Sequence, residues 1–309
     1  MNTIDFSPKH DVLIRNDDGS LVPMDEPFFQ SEPVAPGVWK VLSSGDFHYL
    51  VEGENEALAI DTGYGAGNLR EYLQTLTDKP VRCAANTHYH FDHTASNPYF
   101  DGVYMTEVSV PLATIPYKSF EPIQFPTDYP RLIIKEGDVI DLGGRKLEVI
   151  EIGGHARGSV AYLDRANRIM FTGDEVNRFV VLNRSIAGYA AALEKLVALR
   201  DEYDVCFGGH GAVDPDTISK LLSLCRDVLE GKIDIDAPGG PKGGPKGGPG
   251  GPKGGQDAPE GVTVYGRQSP RPGDGGGDVD RENRRMAAGN EVRISFNRKN
   301  IFENGADLY

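Results

Sequence analysis

Thr87-His88-Tyr89-His90-Phe91-Asp92-His93 decides how the rest of this chain is read. Three histidines and an aspartate fall within six consecutive positions, in a chain with only seven histidines. A neutral imidazole presents a nitrogen lone pair, which makes histidine the commonest metal ligand. His88 and His90 are two apart, a spacing that suits an extended segment, where side chains at i and i+2 point the same way. Helical spacing would separate same-face ligands by three or four positions. Asp92 and His93 are adjacent and so splay toward different points. The stretch therefore reads as the meeting place of two neighbouring metal positions.

Working outward, residues 81–85 read as the strand that delivers this cluster. Upstream, residues 38–42, 47–51 and 57–60 are short β-prone runs, divided by Ser43-Ser44-Gly45-Asp46 and Glu52-Gly53-Glu54-Asn55, as in successive antiparallel strands. Asp61-Thr62-Gly63 closes the last run, and residues 68–76 have the spacing of a short helix. Downstream, a strand at 102–105 precedes an irregular region, 111–130, rich in proline and in the aromatics Tyr117, Phe120, Phe125 and Tyr129. Such a loop is either folded back on its own side chains or forms a lid or substrate wall. Strands resume at 132–135, 146–152, 160–163 and 168–171. Residues 185–203 form the best amphipathic helix, with Ile186, Tyr189, Leu193, Leu196 and Leu199 at helical spacing. A strand at 205–207 and a helix at 216–230 complete this unit.

Composition bounds what such a unit does. The 309 residues, 39% hydrophobic and 25% charged, suit a globular protein with a substantial core. A formal charge of −14 argues against a nucleic-acid partner, because phosphate binding wants a basic stripe. Cys83, Cys206 and Cys225 are odd in number and widely spaced, so no disulfide framework is implied. Neither a signal peptide nor a membrane-spanning apolar run is visible, and a cytoplasmic location with no membrane partner is the simplest expectation. A small-molecule substrate is expected. No oligomeric state follows from the sequence, which is compatible with a homodimer.

Four segments are expected: an N-terminal arm, 1–33, wrapping the surface; a catalytic domain, 34–235; a flexible Gly/Pro/Lys linker, 236–258; and a C-terminal extension, 259–309. The linker repeats Gly-Gly-Pro-Lys with variations, a composition that cannot bury a core. In the extension, 262–265 and 291–296 are candidate strands for an edge hairpin, too few to fold alone.

Further chemistry-bearing residues also sit at expected strand ends. His155 follows Gly153-Gly154, Asp174 follows Thr172-Gly173, and His210 follows Gly208-Gly209. Glycine just before a ligand permits a sharp turn and close backbone approach. Residues distant in sequence but all at strand ends can converge on one sheet edge. Hydrolytic metal sites need that arrangement: neutral imidazoles, one or two carboxylates, and room for water.

The His-x-His-x-Asp-His element with Gly154-His155, Gly173-Asp174 and Gly209-His210 resembles the metal signature of the metallo-β-lactamase superfamily. Ile60-Asp61-Thr62-Gly63 resembles the motif before that family's first helix. The resemblance runs from about residue 34 to 230. It implies the metallo-β-lactamase fold, an α/β architecture: an αββα sandwich of two mixed β-sheets flanked by helices. It also implies a dinuclear centre of two Zn2+ ions, with Fe or Mn as alternatives. His88, His90 and His155 would hold the first metal, Asp92, His93 and His210 the second, and Asp174 would bridge them. Asp61 would orient a ligand loop rather than bind metal. A metal-bridging hydroxide would be the nucleophile, and Asp92 would relay a proton to the leaving group, so that Asp92 and Asp174 are the catalytic residues.

Within that superfamily the resemblance implies a zinc-dependent hydrolase of a small ester, lactone or thioester, in a glyoxalase II- or lactonase-like branch. The alternatives are a phosphodiesterase acting on a small phosphodiester such as a cyclic nucleotide, and an iron-dependent oxidoreductase on the same fold. Asn177 stands where acyl-homoserine lactonases carry tyrosine, and no glutathione-binding pattern follows His210. Arg157, in the turn after His155, is either a surface charge or an arginine for an anionic substrate, since guanidinium binds carboxylate and phosphate bidentately.

Overall fold

The computed structural model describes residues 3–9, 12–16, 18–24, 26, 29–43, 45–63, 66–117, 120, 122–236, 263–266 and 283–302. Most of the expected Gly/Pro/Lys linker, residues 237–258, lies outside them, as do His10 and residues 267–282.

The arm contributes strands β1 (Val12–Arg15) and β2 (Leu21–Pro23). A seven-stranded sheet follows in chain order: β3 (Gln30–Ala35), β4 (Val38–Ser43), β5 (Asp46–Glu52), β6 (Ala57–Ile60), β7 (Val81–Ala85), β8 (Gly102–Thr106) and β9 (Arg131–Ile134). The first four strands are antiparallel and the last three are added in parallel. Helix α1 (Leu69–Gln74) links β6 to β7, and the single turn α2 (Phe91–Thr94) follows β7. Asn68 starts α1 by accepting from the Glu71 N–H, a side-chain cap for an otherwise orphan donor.

The second sheet joins β10 (Val139–Asp141), β11 (Lys146–Glu151), β12 (Val160–Asp164), β13 (Ile169–Gly173), β15 (Val205–Gly208) and β16 (Gly211–Val213). Between β13 and β15 run β14 (Phe179–Val181) and helix α3 (Ile186–Ala198). Helix α4 (Asp216–Leu229) follows β16. Beyond residue 262 come β17 (Thr263–Gly266), β18 (Arg284–Gly289) and β19 (Val292–Asn297).

Side-chain alternation makes the layers. On β5 and β6, Tyr49, Val51, Leu58 and Ile60 face inward and meet Leu147, Val149, Val160, Tyr162, Ile169 and Phe171 of the other sheet. Their neighbours Leu50, Ala57 and Ala59 face outward, under the arm, α1 and the 111–129 loop. On the far side Ile150, Ala161, Leu163 and Met170 face α3 and α4. Both faces of each sheet are thus covered, which explains near-continuous apolar strands instead of a clean alternation. This is the expected αββα sandwich, and each fully buried Leu, Ile or Val contributes about 1.5–3 kcal/mol relative to exposure.

Two expectations need correction. The arm does not stop at residue 33 as a surface wrap, because β3 spans that point as the edge strand of the first sheet. Its pattern is largely exposed and contains Pro33, features of an edge strand that leave no apolar signature. Ile4, Phe6, Ile14 and Met24 of the arm are buried in the outer core. Residues 263–266 do not pair with 292–297; they pair in parallel with β1, while β19 takes β18 as its antiparallel partner. Arg284-Arg285-Met286-Ala287-Ala288-Gly289 has little β-propensity, so its strand was not legible.

Candidate metal centre

Strand direction brings the distant residues together. β11 and β13 both run antiparallel to β12, and β15 runs parallel to β13, so all three end at one edge of the sheet. Those ends carry His155, Asp174 and His210. The first sheet meets the same edge through β7: the Val160 N–H donates to the Thr87 carbonyl at 2.8 Å, and the Tyr162 hydroxyl donates to the Asn86 carbonyl at 2.7 Å.

Three imidazole nitrogens converge there. His90 Nδ1 lies 3.0 Å from His88 Nε2 and 2.9 Å from His155 Nε2. Zinc–nitrogen bonds of 2.0–2.1 Å in a tetrahedron put ligand nitrogens about 3.3 Å apart, so this spacing is close to that of a histidine-bound ion. In His155 and His88 the opposite ring nitrogen is already engaged. His155 Nδ1 donates to the Val181 carbonyl at 2.7 Å, and His88 Nδ1 lies 3.1 Å from Thr87 Oγ1. Thr87 Oγ1 itself donates to Asp61, leaving an oxygen lone pair for the His88 N–H. Such partners fix the tautomer and turn the remaining lone pair inward. Burial, reinforced by neighbouring histidines, holds His88 and His90 well below the ordinary histidine pKa, which keeps both in the neutral form that a metal requires.

A second group forms beside the first. His93 Nε2 lies 3.6 Å from Asp174 Oδ1 and 3.9 Å from Asp92 Oδ2. Asp174 Oδ2 faces the other way, 3.6 Å from His210 Nε2 and 3.9 Å from His155 Nε2. One carboxylate thus stands between two sets of imidazoles. His88, His90 and His155 lie close enough to share one ion, as do His88, His93 and Asp174. Asp92 and His210 stand at the margin of these groups, with His210 half-exposed.

The polar atoms here are incompletely satisfied by protein. His93 Nε2 and Asp174 Oδ1 are buried without a hydrogen-bond partner. Burial works to lower the His93 pKa, yet the carboxylates of Asp61, Asp174 and Asp92 outweigh it and raise it well above the ordinary value. The Asp174 carboxylate likewise raises His210. A pocket that draws protons onto histidine this strongly is short of positive charge, and metal ions would supply it.

Asp61 organises this corner. Its φ is +61°, a left-handed conformation that a non-glycine residue adopts at some cost. It accepts from the Thr87 N–H at 2.7 Å, Thr87 Oγ1 at 2.8 Å and His93 Nδ1 at 2.9 Å. It therefore touches the cluster through Thr87 and the Nδ1 face of His93, on the side away from Asp174. Gly209 is required for close approach: a Cβ there would collide with Asp174 Oδ1 and stand 2.9 Å from His93 Cε1. Gly209→Ala is expected to displace the Asp174 carboxylate, lowering thermal stability by about 1–3 kcal/mol and metal content with it. Calorimetry and metal analysis of the purified variant check this.

Three further residues were missed in the sequence. Asp46 looks like part of a Ser-Ser-Gly-Asp turn, yet it is buried with Oδ1 3.8 Å from His210 Nδ1. Burial, then repulsion from Asp92, raises its pKa to about 8. A signal was available, since Asp46 and His48 sit two apart at the start of an otherwise apolar strand. His48, given no role above, is fully buried behind Gly63, and burial lowers its pKa to about 3. Glu175 accepts from the backbone N–H groups of Gly154, His155 and Ala156, and so buckles the loop that carries His155.

The 111–129 loop closes over the same region. Phe91 packs against Tyr117, Phe120 and Phe125 with ring centroids 5.4, 5.1 and 4.8 Å away. Tyr117 donates to Asp92 Oδ1 at 2.6 Å. Arg157 lies in the turn after His155, half-buried, with its Nε buried.

A sandwich of two mixed sheets with imidazoles and carboxylates gathered at one shared edge defines a class, and sequence comparison names it. The model of the metallo-beta-lactamase superfamily matches residues 48–210, and the chain belongs to that superfamily. It is similar to the acyl-coenzyme A thioesterase MBLAC2 of Bos taurus, 30% identical over 188 residues that cover 50% of this chain and 67% of the relative. The atrochrysone carboxyl ACP thioesterase AgnL7 of Paecilomyces divaricatus is 26% identical over 204 residues, covering 62% of this chain and 61% of that protein. Among solved structures, a metallo-beta-lactamase family protein of Thermus thermophilus superposes with a TM-score of 0.52 at 21% identity, over 66% of this chain and 84% of that one. At that identity the likeness is one of fold.

Proposed function

We propose that this chain is a zinc-dependent hydrolase of a small acyl thioester, with His88, His90 and His155 holding one ion and Asp92, His93 and His210 a second beside Asp174. The observation that carries the reading is the meeting of three imidazole nitrogens within 3.0 Å at His90, next to a buried carboxylate that lacks a full set of partners. Imidazole and carboxylate donors in this number suit zinc. When bound, such ions supply an activated water and polarise the acyl carbonyl.

The chain's own residues do the rest. Val181 and Thr87 orient His155 and His88, and Asp61 orients His93. Asp92, which accepts a hydrogen bond from the Tyr117 hydroxyl, would carry a proton to the departing sulfur as the C–S bond breaks. A thiolate leaves readily, because thiols ionise near pH 8.5. Similarity to two thioesterases favours thioester over ester or lactone. Among the described residues no helix is long and apolar enough to cross a membrane, and the net charge of −14 disfavours nucleic acid as substrate.

The test is metal analysis together with hydrolysis of a thioester, a lactone, an aryl ester and bis-p-nitrophenyl phosphate. About two zincs per chain with thioester turnover supports the proposal. Phosphodiester turnover alone would move the assignment to a phosphodiesterase, and iron without hydrolysis would overturn both. Arg157 is proposed to contact an anionic part of the substrate. Arg157→Ala is expected to raise KM for an anionic thioester by about tenfold, with kcat little changed, since loss of a charge-assisted hydrogen bond is worth about 1.5–3 kcal/mol. Steady-state kinetics with an anionic and a neutral thioester check it, and an equal KM for wild type and variant on the anionic one would sink that role.

A further inference from the structure

The hairpin of β18 and β19 comes after the Gly/Pro/Lys tract, outside the span that matches the superfamily model. It nevertheless adds two strands to β14, which has no other strand partner among the described residues. The Arg293 N–H donates to the Arg178 carbonyl at 2.7 Å, and the Leu182 N–H donates to the Ser295 carbonyl at 2.7 Å. Arg284 Nη1, on β18, reaches past β19 and donates to the Leu182 carbonyl at 2.9 Å. Just beyond β14, the Ala187 N–H donates to the Ile301 carbonyl at 3.0 Å. Val292, Ile294 and Phe296 are fully buried in the core formed with α3 and α4, so the hairpin is anchored from behind.

β14 has only three residues, and a strand of that length does not hold its shape alone. Yet its last residue, Val181, supplies the carbonyl that takes the His155 Nδ1 proton. That bond selects the tautomer of His155 and aims its Nε2 at His90. We infer that the C-terminal hairpin, residues 284–297, is a positioning element of the metal centre, acting through β14 and the Val181 carbonyl on His155. The inference rests on His155 being a metal ligand. It makes metal affinity depend on residues more than a hundred positions away in sequence, which a purely structural appendage would not do.

The experiment uses full-length protein and zinc, with affinity read by competition against a chelator and by the absorption spectrum of Co2+-loaded samples. Arg284→Met removes the tie to Leu182, and Arg293→Pro removes the N–H given to Arg178 at the other end of β14. Each is expected to weaken metal binding by about tenfold and alter the Co2+ spectrum. Arg284→Lys should restore part of the loss. Arg285→Met removes an equal charge from the same strand but pairs with Asp236, away from β14, and should match wild type. Melting of the metal-free proteins separates a lost positioning contact from general destabilisation. Wild-type affinity and spectrum in both Arg284→Met and Arg293→Pro would overturn the inference alone, as would an equal loss in Arg285→Met. Wild-type protein that takes up no zinc would overturn the metal reading and this inference with it.

Discussion

Asp174→Ala is expected to lower kcat for a thioester by about 10²- to 10³-fold and to leave less than two metal ions per chain. Asp174 is buried between two sets of imidazoles, with Oδ1 toward His93 and Oδ2 toward His155 and His210. Burial alone would raise its pKa, but His210 and His93 outweigh burial and hold it well below the usual carboxylate range, so it is an anion at any working pH. Removing it leaves His93, His155 and His210 without the anion that stands between them, which in the proposed two-metal reading would draw both cations together. Metal ions contribute several kcal/mol of transition-state charge stabilisation, and each 1.36 kcal/mol is a factor of ten in rate. Kinetics and metal content measured on one preparation decide the matter. Wild-type kcat with two bound ions would show that Asp174 is not part of the working centre.

Asp61→Asn is expected to weaken metal binding 10- to 100-fold while leaving the protein folded. The substitution keeps size and shape, and asparagine tolerates the left-handed backbone found there. Its amide oxygen can still accept from the Thr87 N–H. Its NH2 group, however, would face His93 Nδ1 and Thr87 Oγ1, where the carboxylate accepts. His93 would then carry its proton on Nε2, the atom directed at Asp174, and that nitrogen could no longer bind a metal. Asp61→Ala should behave differently. It strands a buried N–H and hydroxyl and strains the backbone, so stability falls by roughly 3–5 kcal/mol along with affinity. Zinc competition and thermal melting of both variants distinguish tautomer control from simple loss of structure. An Asp61→Asn protein with wild-type zinc affinity would remove the tautomer argument.

Legibility in the sequence followed local chemistry. The interior strands were readable because apolar runs bounded by turn formers have few other folds open to them, and α3 was readable from its helical spacing. Several edge elements were not, although the edge strand β9 was. β3, with Pro33 and charged neighbours, and β18, rich in arginine and alanine, depend on partners that no local window contains. The residues proposed to hold metal were legible because clustered histidine and aspartate, joined by others at strand ends after glycine, are rare in combination. Their supports were less so: Asp46 looks like a turn, Glu175 looks like a neighbour of Asp174, and the Val181 carbonyl has no side-chain signature at all.

By itself, then, the sequence named the imidazoles and carboxylates that meet at one edge, which depend on residue type and short-range spacing, and implied the αββα class through the resemblance those motifs carry. The tertiary structure decided how those groups face one another, that Nδ1 is the engaged nitrogen of His88, His93 and His155, and that a hairpin beyond a Gly/Pro/Lys tract pairs with β14. Those matters depend on strand direction and on backbone hydrogen bonds between segments far apart in the chain. A carbonyl or an N–H is the same group whatever residue carries it, so only the folded path of the backbone says where it points.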